Sequence, residues 1–405
     1  PSLEGFLDSI KVITGASGGM VGASYLTALA DPMGMTGDVQ SAIEKDIFLS
    51  QLRQDLPDSE RSDLGQELPS LRDSLAPVIK QLIQGDLPHI FSPNRNQQDR
   101  GKALEQQWLS LDETFADLRT GEHEGWRPSI IFSPMMIETG QPLLISNLDM
   151  SKLARVSKDQ AEVFFDMFPC SRATFKLATA ARMNATFPYV SPAVSLPTKP
   201  RRRVVDAGYY DNYGVSLAAA YLSSPEISAW IMEHTSGVVI LELRAFPLNS
   251  GNETRCVPKQ EDDETDGGSS FPIGWLTSPI EGAIRARGST MVFRNDQELE
   301  NVRRVYELLQ RKMKERKDAA SVGGGPELET ETAASTQASS DAVNEHPFIK
   351  TFTFVNATPV SMSWQVPNDE EIAMKECLRV LWEDEGLGKE MVSFWNRDRH
   401  AAKTQ

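Results

Sequence analysis

A serine flanked by glycines stands near the start of the chain, between an apolar run that ends at Thr14 and an apolar segment, Met20–Leu26. The run reads as a strand and the segment as a buried helix, and the residues between them, Gly15–Gly19, have the pattern G-x-S-x-G. Serine acyl hydrolases hold their nucleophile in this strand–turn–helix setting. We therefore predict that Ser17 is a nucleophile on a strained turn, which the glycines allow to be tight. The Gly18 N–H and the dipole of the following helix would face a developing oxyanion.

The histidines do not supply an obvious base for this serine. A Ser-His-Asp triad places its histidine on a loop at the carboxyl end of a strand. His234 stands at a predicted helix end just before a strand, and His346 closes a low-complexity segment. We predict that these two, and also His89, His123 and His400 in their polar surroundings, are surface or helix-end residues.

Asp206 is a better candidate for the base. It ends the short apolar strand Val204–Val205 and is followed by Ala207 and Gly208. Its carboxylate should emerge at the carboxyl edge of a sheet, where active sites of open α/β folds collect. Burial would raise its pKa and let it accept a proton from a serine directly. The alternative is an aspartate that only caps the next turn.

The serine and aspartate segments together resemble those of patatin-like phospholipases. Phe6–Gly19 resembles the family's nucleophile segment, Val204–Asn212 its D-G-[GA] segment, and Ala180–Pro188 the helix of small residues before it. The resemblance extends over roughly residues 1–245. It implies a Ser17–Asp206 dyad without a histidine, and hydrolysis of lipid acyl esters at a membrane or micelle surface. Separately, the sequence contains no P-loop and no dinucleotide fingerprint, and we predict no cofactor.

The chain departs from the family pattern at two places. The glycine-rich loop that supplies most of the family's oxyanion hole would fall before Pro1, and Gly323–Gly325 lies in a low-complexity segment. Loss of an oxyanion donor lowers the rate by about 10²–10³-fold. Ala207 replaces a frequent glycine, which is acceptable unless that residue needs a positive φ. The alternative function is therefore a weak or inactive relative that binds lipid or a protein partner, and acyl transfer to an acceptor other than water also stays open.

Two groups of residues have both a functional and a structural interpretation. Arg182 and Arg203, the latter within Arg201–Arg203, are candidates for binding a substrate phosphate. The alternatives are an exposed helix surface for Arg182 and a solvated loop for the arginine run.

The apolar segment Phe271–Leu276 would contact lipid or a partner, or else pack on the core. The acidic run 261–266 lacks the spacing of an EF-hand, so we predict no metal site.

The alternation of strand and helix patterns predicts an α/β fold with a mostly parallel central sheet and helices on both faces. Residues 1–247 would form a patatin-like core, with residues 36–125 as a helical insertion after the nucleophile turn, either a cap or plain scaffold. Residues 248–405 would complete the same domain, with mobile loops at 249–270 and 318–346.

Several individual elements can also be predicted from periodicity and turn signals. They are a strand pair joined through Glu138–Gly140 (Ser129–Ser133 and Leu143–Ser146), helices over 171–186, 215–234 (broken near Pro225) and 296–317, strands Val204–Asp206, Val238–Leu243 and Phe348–Val355, and a final helix from an Asn368 cap to Leu381.

Composition and charge argue against some classes of binding partner and against a membrane-spanning segment. The 405 residues carry a formal charge of −16, which argues against nucleic acid and against adsorption to anionic membranes. No apolar stretch reaches the roughly 18–20 residues of a spanning helix, and no signal peptide is visible. The cysteines, Cys170, Cys256 and Cys377, suggest a reducing compartment or simple core use. We therefore expect a cytoplasmic or peripherally membrane-associated protein, and the sequence does not indicate its oligomeric state.

Overall fold

The computed structural model of the chain describes residues 5–32, 41–42, 45–46, 105, 107–150, 161–186, 193–244, 274–321, 347–356, 368–384 and 386–397. Most of the predicted insertion 36–125 and the whole predicted loop 249–270 lie outside these ranges. The nine strands of the described part are β1 (Val12–Thr14), β2 (Ser129–Phe132), β3 (Met135–Met136), β4 (Leu143–Ser146), β5 (Glu162–Val163), β6 (Val194–Leu196), β7 (Arg202–Val205), β8 (Val238–Arg244) and β9 (Ile349–Val355).

The helices of the same part are mostly short and alternate with the strands. They are α1 (Ser17–Ala28), α2 (Phe115–His123), α3 (Phe164–Met167), α4 (Leu177–Asn184), α5 (Val215–Ser223), α6 (Pro225–His234), α7 (Gly274–Ser321), α8 (Asn368–Arg379) and α9 (Leu387–Asn396), with 3₁₀ turns at Leu7–Ser9, Leu109–Leu111 and Ala207–Tyr209 and a π turn at Val380–Asp384.

In the described residues the strands form three sheets, with the orders β1-β2-β4-β5, β3-β7-β6 and β8-β9. Parallel pairing joins β1 to β2, β4 to β5 and β8 to β9. The predicted pairing of β2 with β4 is confirmed and is antiparallel, as is all pairing in the second sheet. The molecule is thus a mixed α/β protein whose first sheet is mostly parallel.

Helices cover both faces of the first sheet. Every residue of β2 is buried, and successive side chains point to opposite faces. Ile130 and Phe132 pack in the main core with α1 and α4, whereas Ile131 packs with Leu144 and with Leu217 of α5 on the other face. Packing of helices on both faces holds in place the edge of the sheet at which β1 and β2 end.

The largest difference from the predicted topology concerns β7 and β8. The pattern from Val204 to Leu243 predicts one strand–helix–strand unit, but β7 pairs with β3 and β6, and β8 pairs with β9. The intervening helices are as predicted, since α5 ends at Ser223 and α6 begins at Pro225. The local sequence pattern predicts these strands and helices correctly. Which strands pair with each other depends on contacts between residues far apart in the sequence.

Two helices differ in extent from their predictions, and a third was not predicted. The charged helix α7 begins at Gly274 rather than near residue 296, and its end at Ser321 extends into the loop predicted for 318–346. Helix α4 begins only at Leu177 because Lys176 is extended and bridges Thr114. The predicted strand over 348–355 and the helix from Asn368 are confirmed, whereas α9 was not predicted.

No helix among the described residues is long and apolar enough to cross a membrane. Cys377 is buried and disulfide-bonded, whereas Cys170 is exposed and free.

Candidate active site

Ser17 is the first residue of α1, and only two residues separate it from the end of β1. Its φ is +51°, the one positive φ of a non-glycine residue in the described part of the chain. A serine in this left-handed region is strained by about 1–3 kcal/mol, and such strain tends to occur at functional turns. The predicted strained turn is therefore present at Ser17.

The N-terminus of α1 is open beside this serine. Ala16 occupies the N-cap position and offers no side-chain hydrogen bond to the first turn. Gly18 and Gly19 are exposed, and a Cβ built on either would meet nothing within 4 Å. Backbone N–H groups of this turn, together with the helix dipole, are thus free to face an anion.

Asp206 follows β7 and is only 5% exposed. Its Oδ1 accepts a hydrogen bond of 2.7 Å from the Gly208 N–H and so caps the 3₁₀ turn Ala207–Tyr209. A Cβ on Gly208 would lie 2.9 Å from this oxygen, which explains why a glycine is needed there. Ala207 is buried and its φ is not positive, so alanine is acceptable at that position. The capping interpretation of Asp206 is therefore correct, but it accounts for one oxygen only.

The second oxygen of Asp206 is not used in this cap, and the Asp206 carboxyl interacts with the Ser17 hydroxyl. Oδ2 is buried and makes no well-aligned hydrogen bond. Burial raises the pKa of this carboxyl to about 6, against smaller lowering effects of the Gly208 N–H and the Ser17 hydroxyl. The structure therefore brings Ser17 together with a buried carboxylate. One oxygen of this carboxylate accepts no well-aligned hydrogen bond, and its pKa of about 6 is close to neutral pH.

Close backbone contacts hold the serine turn against the loop that precedes α5. Gly214 has a φ of +72°, and a Cβ at this position would lie 2.3 Å from the Gly15 N. The Thr14 hydroxyl donates a 2.8 Å hydrogen bond to the Gly214 carbonyl. Gly15 is itself confined, because its Cβ would lie 3.1 Å from Met20 Sδ. Chain segments 200 residues apart are thus fixed against each other at the serine turn.

Asn184, at the end of α4, ties the same turn to the sheet. It is fully buried, its Oδ1 accepts from the Ser133 N–H at 2.8 Å, and its Nδ2 donates to the Gly15 carbonyl at 3.3 Å. The resemblance covered this segment without assigning Asn184 a role. An asparagine at the end of a small-residue helix is the one local signal that could have indicated it.

A second carboxylate, Asp211, lies five residues after Asp206 and is 1% exposed. Its oxygens accept from the backbone N–H groups of Tyr213 at 3.2 Å and Ser216 at 2.8 Å, and from Asn295 Nδ2 at 3.5 Å. Asp211 thus fixes the loop between Asp206 and α5, and α7 reaches this loop through Asn295. Sequence reasoning did not single out either residue.

The arginines predicted as phosphate ligands are already ion-paired. Arg182 is 7% exposed, so the exposed-surface alternative is wrong, and its Nε lies 2.8 Å from Glu105 Oε2. Arg203 lies on β7, not in a loop, and its Nε is 3.0 Å from Glu138 Oε1. Each guanidinium already holds a carboxylate, so neither forms a free phosphate site.

The two histidines in the described residues stand at helix ends, as predicted. His123 ends α2, and His234 ends α6 with its ring stacked on Trp230. His89, His346 and His400 lie outside the described residues. No hydrogen bond joins either described histidine to the Asp206 carboxylate, whose Oδ1 partner is the Gly208 N–H.

In the described part of the chain no cluster of histidine, cysteine or carboxylate side chains could hold a metal ion. No family model matches the chain, and no curated protein is similar enough to count as a relative. The assignment of a function therefore rests on the site itself and on the resemblance of its two segments.

Proposed function

We propose that this protein is a patatin-like serine acyl hydrolase that cleaves carboxylic esters of lipids with a Ser17–Asp206 dyad. The observation that carries the proposal is the pairing of a strained serine with a buried carboxylate whose Oδ2 has no aligned partner and whose pKa is raised to about 6. A carboxylate so placed can act as general base at neutral pH without a histidine.

The acylation step uses both residues and the start of α1. Asp206 Oδ2 takes the hydroxyl proton of Ser17 while Oγ forms a bond to the ester carbonyl carbon. The negative charge that develops on the carbonyl oxygen faces the Gly18 N–H and the helix dipole. The tetrahedral intermediate then expels the alcohol, which receives the proton from Asp206 and leaves an acyl-enzyme.

Deacylation repeats the same proton transfers with water. Asp206 accepts a proton from a water molecule, whose oxygen attacks the acyl carbonyl, and returns the proton to Ser17 Oγ as the acid departs. An alcohol in place of water would give acyl transfer by the same path. The substrate would be an ester at a membrane or micelle surface, reached by a protein that associates peripherally with it.

The test of the nucleophile is labelling with a serine-directed fluorophosphonate, read by mass spectrometry. We expect one label on Ser17 in the full chain, and none there in Ser17→Ala. Ester hydrolysis should fall in the same variant by at least about 10³-fold, because the covalent path is lost.

Ser24→Ala is the matched control for this experiment. Ser24 lies on the same helix, but its hydroxyl is buried and bonded to the Met20 carbonyl at 2.7 Å. Its removal should leave labelling unchanged. If folded wild-type protein takes no label and hydrolyses none of a broad panel of esters, the function is not hydrolysis and the alternative of a lipid- or protein-binding relative is correct.

A further inference from the structure

A fully buried asparagine binds the backbone at each end of the strand β2, and the first of them is Asn147, which follows β4. Its Oδ1 accepts a 2.9 Å hydrogen bond from the Ile130 N–H, and its Nδ2 donates a 3.2 Å bond to the Pro128 carbonyl. Both partners lie at the beginning of β2. Asn147 therefore satisfies backbone groups at one end of a single strand, which is an ordinary structural role for a buried amide.

The second asparagine, Asn184, makes the same two kinds of bond but joins different parts of the chain. Its Oδ1 accepts at 2.8 Å from the N–H of Ser133, which follows β2. Its Nδ2 donates at 3.3 Å to the carbonyl of Gly15, two residues before Ser17. A single side-chain amide thus connects the end of β2 to the serine turn.

The bond from Asn184 fixes the direction of a peptide group inside a strained turn. The Gly15 carbonyl belongs to the peptide before Ala16, which is extended, and Ser17 follows with a φ of +51°. The first residue of a helix ordinarily has a negative φ, so Ser17 would relax if these peptide groups were free to rotate. On its N–H side, Gly15 is confined by Gly214, on which a Cβ would lie 2.3 Å from the Gly15 N. Asn184 holds the carbonyl side, and a strained residue persists only where its surroundings restrain it in this way.

We infer that Asn184 is a positioning residue for Ser17: its amide keeps the turn in the strained conformation and so sets where the Ser17 hydroxyl lies relative to Asp206. It acts through its hydrogen bond to the Gly15 carbonyl. Its effect on catalysis rests on the proposed function, whereas its effect on the turn does not. The alternative is that Asn184 only stabilises the fold, as Asn147 does, and the experiment separates these two roles.

The first experiment compares Asn184→Ala with its matched control, Asn147→Ala. Each substitution removes a fully buried amide and leaves one backbone N–H and one carbonyl without that partner, so the midpoint of urea denaturation should fall by a similar amount in both. With an activated ester, Asn184→Ala should lower kcat by about 10–100-fold and keep KM within about twofold, because a small misplacement of a reacting group costs up to about 10²-fold in rate. Asn147→Ala should keep both constants within about twofold of wild type. Equal kcat values in the two folded variants would overturn the inference.

Crystal structures of the same two variants test the inference without turnover. In Asn184→Ala, Ser17 should leave the left-handed region and take a negative φ, whereas in Asn147→Ala its φ should stay near +51°. A Ser17 that keeps its positive φ in Asn184→Ala would contradict the inference even if kcat falls. Failure of the proposed function appears elsewhere, as absent labelling of Ser17 in wild-type protein, and it does not affect this comparison of structures.

Asn184→Asp replaces Asn184→Ala if the latter does not fold. It keeps an oxygen that can accept from the Ser133 N–H and loses the NH₂ group that donates to the Gly15 carbonyl. The kinetics are measured at about pH 8.5, well above the pKa of about 6 that burial gives Asp206, so that a carboxyl buried to a similar extent is ionised. We expect kcat to fall by at least about tenfold. Wild-type kcat in this variant would show that the bond to Gly15 does not position the serine.

Discussion

Two buried carboxylates stand five residues apart in the same loop, and they are held in opposite ways. Asp211 accepts two backbone N–H groups and the Asn295 amide, so donors surround it. Asp206 accepts one backbone N–H on Oδ1, while its Oδ2 has no aligned donor, and burial raises its pKa to about 6. A buried carboxylate that donors surround is structural, whereas one that is left partly unsatisfied is able to take a proton.

The two carboxylates also differ in what they do for the loop. The donors on Asp211 fix the backbone that follows Asp206, and the contact of Gly214 with Gly15 fixes that backbone against the serine turn. Asp206 is thereby held beside Ser17 with one backbone hydrogen bond, on Oδ1, while Oδ2 stays without an aligned donor. Asp206 can be buried with one oxygen unpaired because the hydrogen bonds of the neighbouring Asp211 stabilise the same loop.

The largest expected effect is on catalysis at Asp206. Asp206→Asn should lower kcat/KM for an activated ester by about 10²–10⁴-fold, because an amide cannot accept the serine proton. In wild-type protein kcat/KM should rise with pH through an apparent pKa near 6 and then level off, since the base must be deprotonated. Steady-state kinetics from about pH 4 to 8 measure both.

His123→Asn and His234→Asn are the controls for this prediction, because both rings lie at helix ends. Each should keep kcat/KM within about twofold of wild type, as surface substitutions usually change little. A folded histidine variant, at these positions or at His89, His346 or His400, with a loss as large as that of Asp206→Asn would restore a triad and contradict the dyad.

The same substitution at Asp211 should act on stability instead. In Asp211→Asn one acceptor oxygen becomes an NH₂ group that faces N–H donors, which leaves buried groups without partners. We expect the free energy of unfolding to fall by about 1–3 kcal/mol at neutral pH, measured by urea denaturation. Asn295→Ala is the graded control and should have a smaller effect, since its 3.5 Å contact is the longest of the three. Equal stability of Asp211→Asn and wild type would contradict the structural role.

The candidate site residues could be proposed from sequence because their signals are local. A serine between glycines, a strand before it and a helix after it are all found within Val12–Leu26, and the Asp206 segment is equally compact. The buried strand β2 and the helix break at Pro225 were also predictable, since an apolar run and a proline act on their own neighbours.

The partners of the polar side chains could not be predicted in the same way. Arg182 pairs with Glu105, which lies 77 residues earlier, and Asp211 receives Asn295 from 84 residues later. Nothing near either residue in the sequence distinguishes a paired buried charge from an exposed one. The pairing of β7 and β8 with different strands has the same cause, because a strand's own pattern does not name its neighbour.

An effect of the same size as that at Asp211 but of opposite sign concerns stability and pH at Asp206. The pKa of this carboxyl is about 6 in the folded protein and near 3.9 in an unfolded chain, so the folded state binds the proton more tightly. Stability from this group is therefore fully present below about pH 4 and is lost as the pH rises through 6, at most about 3 kcal/mol.

Asp206→Asn removes this pH-dependent loss, because the amide has no charge to bury. Its Oδ1 can still accept from the Gly208 N–H, and its NH₂ can donate to the Ser17 hydroxyl oxygen. The inactive variant should therefore be more stable than wild type near pH 8 by about 1–3 kcal/mol and equal to it near pH 4. Denaturation of both proteins across this range measures the difference. A constant difference at all pH values would mean that Asp206 has an ordinary pKa, and the contrast with Asp211 would then lose its electrostatic basis.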